Sequence, residues 1–237
     1  MAILALVIIN LLTLLALLVV LNKYGLINKL SDRYFPALNT CKRQNIDPAS
    51  NPYFKDRTEL FSSYEVPPNC TILIGDSHIH RANWDELLPA PVLNRGISSD
   101  TTAGVLLRIP SITRLVPSHC VVMIGINDIL NGETSDDIVN RYRSILDSLN
   151  VNGSKLTACS ILQVGKTKLG SKLLNQKIAD INTRLKKVAS KQEITFLDLS
   201  PSLCPEYVLN ERFTNDGVHL NGKGYVVFAS ELEKQLS

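Results

Sequence analysis

Cysteine is scarce and unpatterned in this sequence. Cys41, Cys70, Cys120, Cys159 and Cys204 are the five among 237 residues, with no C-x-x-C pair and no metal-ligand spacing. An odd count argues against a fully paired disulfide framework, although one bridge stays open. Cys70, Cys120 and Cys159 fall in or beside apolar runs, where a thiol behaves as a small hydrophobe. Strong charge of one sign is also missing: Lys and Arg total 25 and Asp and Glu 22, a net charge of +3. No basic run is dense enough to hold nucleic acid. The most basic stretch, Lys166 to Lys191, spreads its charges along a helical pattern and reads as a solvated face. There are no internal repeats and no low-complexity segment, which excludes solenoids and disordered arrays.

One segment lacks charge altogether. Ala2 to Leu21 contains only Asn10 and Thr13 as polar residues. Twenty residues at helical rise span roughly 30 Å, the thickness of a hydrocarbon core. No Lys or Arg precedes the run and no small-residue cleavage site follows it, so it reads as an uncleaved transmembrane anchor over residues 1–22 rather than a secretory signal. Lys23, Lys29 and Arg33 lie just beyond it. The positive-inside rule then puts the rest of the chain on the cytoplasmic side.

Residues 23–51 are polar, broken by proline and without clear period, the texture of a tether. The main domain begins at Pro52, where Tyr53, Phe54, Arg57, Leu60, Phe61 and Tyr64 recur at helical spacing. Apolar strand-like runs follow at Thr71–Ile74, Val92–Leu93, Cys120–Ile124, Leu156–Leu162 and Ile194–Leu197. Helical patterns lie between them near Trp84–Leu88, Thr102–Leu115, Ser135–Leu149 and Ser171–Ala189, with Gly224–Leu236 closing the chain. Five strand–helix alternations predict a parallel sheet covered on both faces. Chemistry in such sheets gathers beyond the carboxyl ends of the strands. That rim would carry Gly75-Asp76-Ser77, Arg95-Gly96 and Gly125-Ile126-Asn127.

Acyl transfer requires a nucleophile, a base, a group that orients the base, and donors for an oxyanion. Ser77 is a candidate nucleophile, although Asp and Ser are equally good helix caps. Of four histidines, His119 precedes a buried strand, and His78 and His80 flank Ser77 too closely to reach its hydroxyl easily. His219 sits in "TNDGVHLNGKGY" with Asp216 three residues earlier, a spacing that lets a carboxylate hold one imidazole nitrogen and leave the other facing outward. Gly96 offers a bare backbone N–H, and Asn127 an amide NH₂. Singly, each has a plain alternative as a turn or a loop residue. Successive rim positions carrying all of them are harder to set aside.

Gly75-Asp76-Ser77, Gly96, Gly125-x-Asn127 and Asp216-x-x-His219 together resemble the four blocks of the SGNH hydrolases, the GDSL esterases, over about Pro52 to the C-terminus. "NRGISSDTT", "IGINDI" and "DGVHLNGKGY" look most like the branch with platelet-activating-factor acetylhydrolase-like and carbohydrate acetylesterase-like members. The resemblance implies a three-layer α/β/α fold around a five-stranded parallel sheet. It implies Ser77 as nucleophile, His219 as base and Asp216 as its orienter. The oxyanion would be held by the N–H of Ser77 and Gly96 and the Asn127 side chain, with Asp76 and Gly125 in support and no metal or cofactor. Two positions depart from the pattern: His78 where the motif has Leu, and Ser99 where relatives often have a second glycine. The implied substrate is a short acyl ester, most plausibly acetyl, on a sugar or other polar alcohol. The anchor also permits lysophospholipid or thioester substrates, or a catalytically silent membrane-tethered carbohydrate-binding module. Members anchored this way often act on envelope material, which leaves the side of the membrane open. Oligomeric state is not legible.

"GDSHI" does not fit the G-x-S-x-G elbow of α/β-hydrolases. "VGKT", Val164 to Thr167, lacks the first glycine of a phosphate loop, with Ser160 in its place. Asp76, Asn127, Asp216 and His219 are too few ligands for a hydrolytic metal site.

Overall fold

The computed structural model describes residues 47–236 apart from 68 and 151–152. The expected anchor over 1–22, and the tether as far as residue 46, lie outside the described residues. Among the described residues no helix is long and apolar enough to cross a membrane.

Five parallel strands form the sheet: β1 (Thr71–Gly75), β2 (Val92–Gly96), β3 (His119–Met123), β4 (Lys155–Cys159) and β5 (Thr195–Leu197), in the order β2-β1-β3-β4-β5. Side chains alternate across each strand, and the core divides accordingly. Ile72, Ile74, Cys120 and Val122 face one apolar cluster, and Leu73, Val121 and Met123 face another. The first cluster is roofed by α4 (Thr102–Thr113), α6 (Ser135–Leu149) and α7 (Ser171–Lys191). The second is roofed by α3 (Trp84–Leu87), α8 (Ser200–Leu203) and α9 (Gly222–Leu236). The result is the expected α/β/α sandwich, preceded by α1 (Pro52–Ser63) and carrying two short rim helices, α2 (Ser77–His80) and α5 (Ile126–Leu130).

The chain leaves β1 for β2 on one side and returns for β3 on the other. The gap between the carboxyl ends of β1 and β3 is therefore the switch point at which open α/β sheets place their ligands. Gly125, at φ +132°, turns the chain from β3 into α5, and a Cβ there would meet Ile161 Cδ1 at 2.6 Å.

One strand is shorter than its apolar run suggests. The run Leu156–Leu162 predicts a strand throughout, but β4 ends at Cys159. Beyond Ser160, whose N–H still reaches Leu197 O in β5, buried residues 161–164 leave the sheet, and α7 supplies backbone partners for Ile161 and Val164. Asn182 bonds both the N–H and the C=O of Ile161 at 2.8 Å, and seven residues earlier Asn175 does the same for Val164 at 2.8 and 2.9 Å. Two asparagines on one helix face thus replace a strand edge, satisfying groups that would otherwise be buried unpaired.

Candidate active site

Ser77 opens α2 directly after β1. Asp76 is the N-cap, its carboxylate accepting the His78 backbone N–H at 2.9 Å, so both readings of Asp76-Ser77 hold: the stretch caps a helix and delivers a serine to the rim. Ser77 is 6% exposed. Its Oγ lies 3.0 Å from His219 Nε2, and His219 Nδ1 lies 2.6 Å from Asp216 Oδ2. A carboxylate only accepts, so Nδ1 carries the proton and Nε2 faces the Ser77 hydroxyl as an acceptor. The backbone N–H groups of Val218 and His219 also donate to Asp216 Oδ1, at 2.9 and 2.7 Å. Partial burial works against the charge on Asp216, but these bonds outweigh it and hold the carboxyl well below the usual carboxylate range.

The loop bearing Asp216 and His219 is braced from a neighbouring segment, Gly165 donating its N–H to Gly217 O at 2.7 Å. The "VGKT" stretch is therefore a support for that loop. The four described cysteines are free and buried, and burial pushes the thiols of Cys120, Cys159 and Cys204 up to about 12, so none of these three competes as a nucleophile.

Gly96 corrects one expectation. Its N–H donates to Asn94 Oδ1 at 2.9 Å, so that donor is already used. Its glycine identity has another cause: a Cβ there would lie 2.3 Å from the His80 backbone nitrogen, where α2 crosses β2. The free donor lies three residues on. Ser99 adopts a left-handed φ of +65°, and among the described residues its N–H has no acceptor. Ser99 and Asn127 line one cavity of about 320 Å³, together with Asn51, Phe54, Ser98 and Asn131. Asn127 Nδ2 donates to Asp100 O at 2.9 Å, which spends one amide hydrogen and fixes the direction of the other.

Several positioning residues escape a reading by motif. Arg108, buried in α4, donates to Asp100 Oδ2 at 2.9 Å and to Gly75 O at 3.2 Å, joining the serine turn to the 97–101 loop. Asp128, fully buried, accepts from Thr102 N and Oγ1 and from Arg141. Both acids lie inside the quoted blocks, in "SSDTT" and "IND". His80 spans from Gly96 O, 3.2 Å from Nδ1, to the Tyr53 hydroxyl, 2.8 Å from Nε2. Burial, helped by Arg57, lowers its pKa, so the ring is neutral and ties α1 to the end of β2.

The profile of the GDSL-like lipase/acylhydrolase family matches residues 75–227, from the end of β1 into α9, which takes in Ser77, Ser99, Asn127, Asp216 and His219. The chain belongs to this family. It is a GDSL hydrolase, and solved structures share the architecture. A GDSL-like lipase from Bacteroides thetaiotaomicron aligns with TM-score 0.68 and 23% identity over 77% of this chain and 96% of its own. A protein described as a platelet activating factor from Streptococcus pneumonia aligns at 0.67 and 23%, over 78% and 91%. An acetyl xylan esterase aligns at 0.61 and 20%, over 71% and 100%. At such identities the likeness is one of fold. Among curated proteins, N-acylneuraminate cytidylyltransferases of Streptococcus agalactiae are 24% identical over 133 residues, 56% of this chain and 32% of theirs. The GDSL chain thus spans about a third of the length of these relatives.

Proposed function

We propose that this GDSL hydrolase is a serine esterase that removes short acyl groups, chiefly acetyl, from the hydroxyls of a carbohydrate or other small polar alcohol. The observation that carries the reading is the continuous hydrogen-bonded path from Ser77 Oγ through the His219 ring to Asp216. His219 Nε2 takes the hydroxyl proton as Ser77 attacks the ester carbonyl, and returns it to the departing alkoxide. Asp216 stays ionised, holds the tautomer and offsets the charge of the imidazolium. The tetrahedral oxyanion is held by the Ser77 and Ser99 N–H groups and the Asn127 amide, with Ser99 taking the place first expected of Gly96. Water then repeats the sequence on the acyl-enzyme, with His219 again as base.

Two features support a small acyl group on a polar alcohol. The cavity beside Asn127 is small, and Asn51, Ser98 and Asn131 bring amide and hydroxyl groups to it beside the apolar Pro48, Phe54 and Leu130. An acetyl xylan esterase is among the proteins of like fold, and the curated relatives carry an acylated sugar in their name. The test is a chain-length series. p-Nitrophenyl acetate should be cleaved at least tenfold more efficiently in kcat/KM than the octanoate, with palmitate near background, and acetate should be released from acetylated polysaccharide. Preference for octanoate or palmitate, or fatty-acid release from lysophospholipid, would replace this substrate class with a lipid one.

A further inference from the structure

The family motif gives no chemical role to the residue after the nucleophile, yet here it is a buried histidine. His78 is 2% exposed, and both of its ring nitrogens face acceptors. Nδ1 lies 3.2 Å from Asp76 Oδ1, and Nε2 lies 3.0 Å from Val218 O, the carbonyl that immediately precedes His219. The His78 ring also lies against the His219 ring, centroids 5.7 Å apart and tilted by 35°. A neutral imidazole donates from one nitrogen only, so it leaves a lone pair facing one of the two oxygens. Only the doubly protonated ring satisfies both contacts.

We propose that His78 is a positioning residue, a buried imidazolium paired with Asp76 that clamps the Val218 carbonyl and so fixes the loop that carries the catalytic base. The clamp rests on the assignment of Ser77, His219 and Asp216 above. It explains why Asp76 is buried although it touches no part of that path. The carboxylate caps α2 and neutralises His78, so one residue aligns both the helix that begins with the nucleophile and the loop that holds the base.

The groups around the ring act in opposite directions, and Asp76 with the Val218 carbonyl prevails. Burial disfavours the imidazolium, but the bond and charge of Asp76 and the Val218 carbonyl outweigh it and raise the His78 pKa above the ordinary 6.5, while Arg81 at the end of α2 opposes them weakly. His219 faces the ring from the catalytic loop. Tyr225 in α9, which feels the same Asp76 and Arg81 charges, is pushed upward by burial and stays a neutral phenol. A raised folded-state pKa means that the clamp is present at and below pH 6.5 and is lost only as pH rises through the raised value. Turnover should therefore fall on the alkaline side as His78 gives up its proton and one of its two bonds.

The experiment uses the full chain, with p-nitrophenyl acetate as substrate and Ser77→Ala as reference. His78→Leu should lower kcat roughly 10- to 100-fold with KM changed less than threefold, as expected when a base is mispositioned by a fraction of an ångström. His78→Gln, which keeps a donor but has no titration, should recover part of kcat and lose the alkaline fall. Independently of any variant, ¹⁵N imidazole spectra of the wild-type protein at pH 6.5 should show His78 protonated on both nitrogens. A singly protonated His78 at pH 6.5, or a folded His78→Leu variant with wild-type kcat and an unchanged pH profile, overturns the clamp. If His78→Leu does not fold, the imidazole spectrum alone decides. Should Ser77→Ala keep full activity, the underlying triad fails instead, a result separate from these.

Discussion

Asn127 has two claims on its amide, and they have different measurable consequences. One hydrogen goes to Asp100 O at 2.9 Å, and the proposed mechanism gives the other to the oxyanion. Asn127→Ala removes a donor that acts on developing negative charge, so kcat should fall about 100- to 1,000-fold with little change in KM. A twofold loss would show that the amide only braces the loop. At this scale the sequence was most legible where chemistry demands a particular side chain. Ser77, Asp216, His219 and Asn127 follow from residue type and spacing, and the first three meet as hydrogen-bond partners. Backbone donors left no such mark. Gly96 ends β2 and Ser99 lies three residues on, and composition cannot say which N–H an Asn94 side chain will consume. His78 was legible as a departure from the motif but not as a function, since its partner Val218 O is 140 residues distant and is a backbone atom.

The elements are held in register by buried polar contacts that periodicity does not reveal. Asp128 in α5 receives the N–H and hydroxyl of Thr102 at the start of α4, and Arg141 from α6. Replacing it with alanine orphans a buried helix N-terminus and should cost about 3 kcal/mol, read as a lower urea midpoint. The exposed pair Arg184–Asp136 makes a contrast: Arg184→Met should shift stability by less than about 0.5 kcal/mol. Loss of more from Arg184 than from Asp128 would reverse this picture of where the fold is fastened. Helices with strong amphipathic period were read nearly to the residue, as with Ser135–Leu149. The end of β4 was not. An apolar run has the same appearance whether its backbone is paired by a strand or by Asn175 and Asn182 from a helix.

For the whole molecule, the order β2-β1-β3-β4-β5 is what turns scattered residues into a site. It brings the ends of β1, β2 and β3 side by side at the switch point. It also places the loop before α9 close enough for His219, 142 positions after Ser77, to reach the serine hydroxyl. The alternation of strands and helices foretold the parallel sheet and its layers. It did not foretell that residues before the sheet would serve the rim, yet Asn51 and Phe54 wall the cavity and Tyr53 anchors His80. The central claim is that this topology makes Ser77 an activated nucleophile, and a fluorophosphonate tests it most directly. Treated with the probe, the wild-type protein should gain one adduct, on the peptide that contains Ser77. His219→Ala should slow that labelling by at least 100-fold, and Ser77→Ala should abolish it. A cooperatively folded wild-type protein that takes up no probe, or carries it on another residue, would contradict the account.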